Sequence, residues 1–266
     1  MRRLALLAVL LSAVPALAAP RVRRKAPDMS FDRYVFAAIW QPGVCASVEP
    51  VSAAACGRLT PRSPEARAWT LHGLWADLPR GLAREGMKKG TWYKYGCYWF
   101  RPGHERPKTF CADPPLRLSP ATARALDAEM PGRAGCLDRH EYNKHARCYG
   151  FEPDPFFRGA LGLLHKLNAS RFGAYVAARR GRTVARADLE KSFAEAFGLK
   201  DASALELRCS SRPGSKDEDV LTQAWITLSA DGPRLFPKPA AFRSGRGGNC
   251  AERVLIAAPV SGPRGG

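Results

Sequence analysis

Much of what usually announces a function is missing from this 266-residue chain. Beyond the first twenty residues no apolar run reaches the ~20 residues that span a bilayer, so no membrane insertion is expected. Neither G-x-G-x-x-G nor a P-loop occurs, which excludes the phosphate-cradling turns of dinucleotide- and nucleoside-triphosphate-binding enzymes. No C-x-x-C pair is present and the histidines stand apart from the widely spaced cysteines, so ordinary zinc-ligand spacing is lacking as well. Repeats and linker-like stretches are absent, and a single domain is the simpler arrangement. Histidine is scarce, with five residues at positions 72, 104, 140, 145 and 165, and where they fall is therefore informative.

What is present begins with Arg2 and Arg3, an apolar stretch from Leu4 and the small-residue pattern Ala16-Leu17-Ala18, the layout of a secretory signal peptide cut near Ala18 or Ala19. Export to the periplasm or the medium follows. In that setting the eight cysteines, at 45, 56, 97, 111, 136, 148, 209 and 250, read as four disulfides with no free thiol. Cys45–Cys56 and Cys209–Cys250 are expected, with Cys97, Cys111, Cys136 and Cys148 pairing among themselves in a connectivity the sequence leaves open. A formal charge of +18 favours a polyanionic partner, nucleic acid first, with a merely adhesive or solubilising basic surface as the alternative.

The expected layout is a signal peptide over 1–18, a basic mobile arm over 19–33, a folded domain over 34–258 and a disordered tail over 259–266. Strand formers fill Tyr34–Trp40 and stop at Gln41-Pro42-Gly43, and a second strand is predicted over Trp69–Trp75. Residues 77–115 read as a long structured loop. Ser119-Pro120 and Asp154-Pro155 each open a helix, the second with Phe157, Leu161, Leu164 and Leu167 at helical spacing, and further helices are predicted over Arg171–Arg180 and Arg186–Phe197. Strand patterns return at Leu205–Cys209, Leu221–Leu228 and Arg253–Ala257. Strands at both ends with helices collected between them predict an α+β domain: a central, mostly antiparallel sheet with helices packed on it, stapled by disulfides.

Two segments carry chemistry. In Cys136-Leu137-Asp138-Arg139-His140-Glu141-Tyr142-Asn143-Lys144-His145, Asp138 and Glu141 resemble a capping box, which puts the rest on a helix. His140/Lys144 and Glu141/His145 are then i,i+4 neighbours on one broad face, an anion site with an acid/base group built in. The five-residue spacing of the histidines turns their rings roughly 140° apart, against the i,i+4 spacing of zinc proteases. The bland alternative makes Glu141 a cap and His145 an interior histidine. In Leu71-His72-Gly73-Leu74-Trp75-Ala76-Asp77, a histidine interrupts an apolar strand beside a glycine that admits close approach, and Trp75 and Asp77 could stack on and hydrogen-bond a base. A lone core histidine is the competing reading. Basic and aromatic residues also interleave over Lys88–Arg101, either as an RNA-contacting wall or as core beneath the loop.

Together, LHGLWAD and HEYNKHARC resemble the two active-site segments of the ribonuclease T2 family, whose usual forms run close to LHGLWPD and HEWxKHGxC; WQPGVC adds to the likeness, which extends from about Tyr34 to Ile256. The bacterial periplasmic, ribonuclease I-like branch is the most similar. With no metal cage in the sequence no metal or other cofactor is expected, and a monomer is. The resemblance implies an enzyme that cleaves single-stranded RNA through a 2′,3′-cyclic phosphate to 3′-phosphate ends. It implies His145 as the base for the 2′-hydroxyl, His72 as the acid for the leaving 5′ oxygen, His140 as a phosphate ligand, Glu141 and Lys144 as stabilisers of charge on phosphorus, and Trp75 and Asp77 as a base-binding site. Three positions depart from the usual pattern: Ala76 for proline, Tyr142 for tryptophan and Ala146 for glycine. Only Ala146 bears on geometry, since a positive φ there would strain alanine.

Overall fold

A computed structural model of the chain describes residues 26–47, 56–57, 59–211 and 218–259. The expected signal peptide, the first part of the basic arm and nearly all of the tail lie outside the described residues. Six strands form one sheet: β1 (Arg33–Ile39), β2 (Thr70–Ala76), β3 (Arg182–Ala185), β4 (Leu205–Ser211), β5 (Glu218–Ser229) and β6 (Arg253–Ile256). The order is β2-β1-β5-β6-β3, with β4 on the other side of β5. Every pairing is antiparallel except β5 with β6, so the long β5 organises the sheet.

Nine α-helices accompany the sheet among the described residues: α1 (Gln41–Ala46), α2 (Arg80–Arg84), α3 (Lys89–Tyr95), α4 (Pro120–Glu129), α5 (Leu137–His145), α6 (Pro153–Asn168), α7 (Arg171–Ala178), α8 (Arg186–Phe197) and α9 (Gly232–Leu235). The apolar stripe of α6 supplies Phe157, Leu161, Leu164 and Leu167 to a core shared with Phe36 and Trp40 from β1 and its end, Leu71 and Leu74 from β2, and Phe172 and Phe193 from α7 and α8. Burying that face is what holds helices of ordinary propensity onto the sheet. The result is the α+β, single-domain fold expected.

Several local expectations are corrected. Order begins before Tyr34: Asp28 and Ser30 carbonyls accept Gly81 and Arg80 N–H groups, and Phe31 packs edge-on to Tyr34 and Tyr149, so residues 26–33 are docked rather than free. The long 77–115 segment contains α2, α3 and short 3₁₀ turns. α6 starts one residue before Asp154, whose carboxylate instead accepts the Ser119 N–H at 2.7 Å and ties α6 to the start of α4. β3, four residues with a charged start, is too short to leave a periodic signal.

The four disulfides are Cys45–Cys56, Cys97–Cys148, Cys111–Cys136 and Cys209–Cys250, which settles the connectivity left open. Two of them fasten the 97–111 segment to either end of α5.

Candidate active site

One irregularity in β2 explains how two functional side chains share a face. Ala37 pairs with Gly73 while Ala38 pairs with Leu71, leaving His72 as the extra residue of a β-bulge. In a regular strand His72 and Trp75, three apart, would point to opposite faces. With the bulge, Leu71 and Leu74 both enter the core, at 0% and 5% exposure, and His72 and Trp75 both reach the opposite side. There they meet Gln223 and Trp225, two apart on β5.

Helix α5 crosses this face. The capping box does not form, because the helix starts at Leu137, two residues too early for Asp138 to cap it; the N-cap is Cys136, in the left-handed region at φ 62°. Asp138 pairs with Arg133 at 3.1 Å, and Glu141 turns to the strand. Gly73 makes this approach possible, since a Cβ there would lie 1.9 Å from Glu141 Oε2. Ala146 has φ −128°, so the alanine carries no left-handed strain and fits fully buried.

The side chains converge on the indole of Trp75. Its Nε1 donates to Glu141 Oε2 at 2.5 Å, and its ring lies 5.1 Å from that of His72, 5.4 Å from that of His145 and 5.0 Å from that of Trp225. His72 Nδ1 lies 2.7 Å from Gln223 Oε1, which also accepts Trp225 Nε1 at 2.8 Å. An oxygen already receiving one N–H requires Nδ1 to be the donor, so neutral His72 carries its proton there and leaves Nε2 to face Glu141 Oε1 at 3.6 Å. His140 stands 6.2 Å from His145, ring to ring, under the stacked ring of Phe110 at 4.0 Å, with its buried Nδ1 unpartnered among the described residues.

Burial dominates the protonation of the cluster. It pushes His72 and His140 down to about 4 and His145 well below the ordinary histidine value, with the Lys144 ammonium adding to each. Lys144 is itself pushed down by burial, and Glu141 is raised to about 8, again by burial and against the opposing pull of Trp75 and Lys144. The resting site is thus neutral rings around a protonated carboxyl, poised to accept an anion.

The rings of His140 and His145 do not diverge as the helical spacing predicts. Together with Glu141 they bring potential ligand atoms within 4.8 Å of one another, because side chains on a helix lean along it and His145 sits in the last turn. The surroundings suit a cation poorly: Glu141 is bonded to Trp75 and protonated near neutrality, and Lys144 projects from the same turn.

Two clefts flank the cluster and share Lys144. One, of about 310 Å³, is lined by Trp75, Tyr93, His145, Glu206, Trp225 and Arg246 among others; the second, of about 580 Å³, by Lys94, Tyr95, His104, Arg106, Lys108, Phe110 and His140. The basic-aromatic segment divides accordingly: Trp92, Cys97 and Tyr98 are core, while Lys89, Tyr93, Lys94 and Tyr95 line the clefts. Asp77 is set apart from the histidines, its carboxylate held by Arg33 at 3.2 Å, Tyr93 at 3.3 Å, Lys89 at 3.5 Å and its neighbour Leu78 N–H. His104 stacks on Trp99 in the wall of the second cleft, and His165 pairs with Glu129. Gln223 and Trp225 went unnoticed in the sequence, although a glutamine two residues before a tryptophan in an otherwise apolar strand is the signal of a shared polar face.

Residues 31–238 match the Ribonuclease T2 family. The chain belongs to that family. It is 35% identical to Ribonuclease I of Escherichia coli over 242 residues, 85% of this chain and 86% of that one. Among solved structures it is similar to the self-incompatibility-associated SF11-RNase of Nicotiana alata, with a TM-score of 0.52 at 14% identity over 86% of this chain and all of the other. A variant of RNase MC1 from bitter gourd in complex with 5′-UMP gives a TM-score of 0.52 at 20% identity over 85% of this chain and 98% of that one. The T2 assignment makes the chain an endoribonuclease with an α+β ribonuclease fold, and the matched residues 31–238 include the histidine cluster. Among the described residues no helix is long and apolar enough to cross a membrane.

Proposed function

We propose that the chain cleaves single-stranded RNA by acid/base transesterification, with the scissile phosphate seated among His72, His140, Lys144 and His145. The observation that carries this reading is that the Gln223-held His72 ring lies 5.1 Å and the half-buried His145 ring 5.4 Å from the ring of Trp75: two imidazoles, from β2 and α5, braced against one indole.

His145 removes the 2′-hydroxyl proton, and the 2′ oxygen attacks phosphorus as the P–O5′ bond breaks. His72, protonated at Nε2, delivers that proton to the leaving 5′ oxygen. The product is a 2′,3′-cyclic phosphate, which water opens to a 3′-phosphate with the two roles exchanged. His140 and Lys144 supply positive charge to the phosphoryl oxygens. Glu141, neutral near pH 7, donates a hydrogen bond to them instead of repelling them, which favours the doubly charged transition state. The nucleoside bearing the attacked 2′-hydroxyl belongs in the cleft lined by His145 and Trp75, and the cationic second cleft takes strand beyond the phosphate.

Export of a monomer to the periplasm or medium completes the reading, supported by the signal-like N-terminus and by four disulfides, which reducing cytoplasm would not favour. The test is cleavage of an RNA strand beside its 2′-deoxy and 2′-O-methyl counterparts, with and without EDTA. RNA alone should be cut, equally well in both buffers. Cutting of a modified strand, or loss of RNA cleavage on chelation, would remove the mechanism.

A further inference from the structure

The aromatic cleft beside His145 contains one acidic side chain in strongly basic surroundings. Glu206, from β4, opposes Trp225 across the strand pair and is only 4% exposed, yet it lines the cleft with Arg33, Lys89, Lys144 and Arg246. Its Oε1 accepts the Arg246 backbone N–H at 3.0 Å, and among the described residues no donor meets Oε2. A carboxylate oxygen in a cleft wall that no protein donor meets is an acceptor open to a donor from a ligand. Asp77, the acid that the family likeness put forward for base binding, is absent from the cleft lining and occupied by two cations, a phenol and an N–H.

We infer that Glu206 reads the base of the nucleotide whose 2′-hydroxyl is attacked, and that it selects guanine. The inference rests on the catalytic reading above, which puts that nucleoside against His145. Trp75, Tyr93 and Trp225 give the cleft aromatic faces for stacking, which alone is indifferent to base identity. Selection comes from the carboxylate, which only accepts. Guanine presents two adjacent donors, N1–H and the 2-amino group, a match for two carboxylate oxygens. Adenine and cytosine set one amino donor beside a ring nitrogen whose lone pair the carboxylate repels, and uracil sets one N–H between two carbonyls. The same negative charge keeps a phosphate from settling in the base cleft despite its cations.

The experiment measures kcat/KM of the purified mature chain on GpA, ApA, CpA and UpA, and on the reversed series ApG, ApC and ApU, for wild type and Glu206→Gln. Glutamine keeps the Oε1 acceptor for the Arg246 N–H but replaces the second acceptor with a donor. Wild type should favour GpA over UpA by about 10-fold or more, as a paired hydrogen bond to a base allows, and the variant should bring that ratio close to one while leaving the preferences in the reversed series as they were. Equal wild-type rates on the first series, a ratio unchanged by the substitution, a uniform fall on all substrates, or a change confined to the reversed series would each overturn the inference with the enzyme still a ribonuclease. Failure of wild type to cleave any dinucleotide would overturn the catalytic reading and this inference together.

Discussion

Gln223 Oε1 lies 2.7 Å from His72 Nδ1 and also receives Trp225 Nε1, so the ring proposed as the general acid is oriented by a neutral amide with no freedom to reverse its role. A carboxylate in that place would hold the histidine protonated; the amide fixes the tautomer while leaving its charge to the substrate phosphate. Gln223→Leu should therefore lower kcat about 10- to 100-fold with little change in KM, the cost of a misoriented general acid. Gln223→Glu should retain activity and move the alkaline limb of the kcat profile upward. Both are read from steady-state kinetics on a dinucleotide, and a Leu variant with wild-type kcat would contradict the role.

Activity should peak below pH 6.5. Burial depresses both histidines proposed as acid and base, His72 to about 4 and His145 well below the ordinary value, and the proposed mechanism needs one charged and one neutral. The kcat/KM profile of the free enzyme should rise and fall on the acidic side of neutrality, with the kcat optimum shifted upward because bound phosphate stabilises the charged ring. A kcat/KM optimum above pH 7 would show that the histidines are not held in their buried, neutral state.

Glu141 makes a stability prediction of opposite sign to that of an exposed acid. Its folded value is raised to about 8, so its contribution is fully present below the unfolded value near 4.5 and is lost as pH rises through 8. Glu141→Gln keeps an acceptor for Trp75 Nε1 and cannot ionise. Relative to wild type the variant should gain stability with rising pH, the advantage growing between pH 5 and 9 to roughly a few kcal/mol. Denaturant unfolding across that range measures it, and parallel pH profiles would contradict the shift. Turnover should fall, since an amide N–H is a weaker hydrogen-bond donor to phosphoryl oxygen than the O–H of a protonated carboxyl.

How far the sequence carried the account varies by element. The helix holding His140, Glu141, Lys144 and His145 was reached through a capping pair that does not form, and the longer strands β1, β2 and β5 through their apolar and aromatic runs, while four-residue β3 left no signal. The bulge at His72 was not legible: pattern reasoning assumes period two, and only pairing with β1 reveals the extra residue. The same limit hid Gln223, which reaches His72 across 151 positions of sequence. The supposed capping pair Asp138/Glu141 misled for a tertiary reason, as Arg133 claims the first and Trp75 the second. Asp77 could be singled out by its place in LHGLWAD, but nothing local announced that Arg33, Lys89 and Tyr93 would occupy it.

The division of labour between His72 and His145 is the central claim, and a substrate whose 5′ bridging oxygen is replaced by sulfur tests it most directly. A thiolate leaves without protonation, so such a substrate needs the base but not the acid. On ordinary RNA, His72→Ala and His145→Ala should each lose about 10²- to 10⁴-fold in kcat while binding RNA nearly as well as wild type. On the 5′-thio substrate, His72→Ala should recover to within about 10-fold of wild type and His145→Ala should not recover, an outcome that assigns acid and base as proposed. Recovery of His145→Ala instead, or of neither variant, would contradict it.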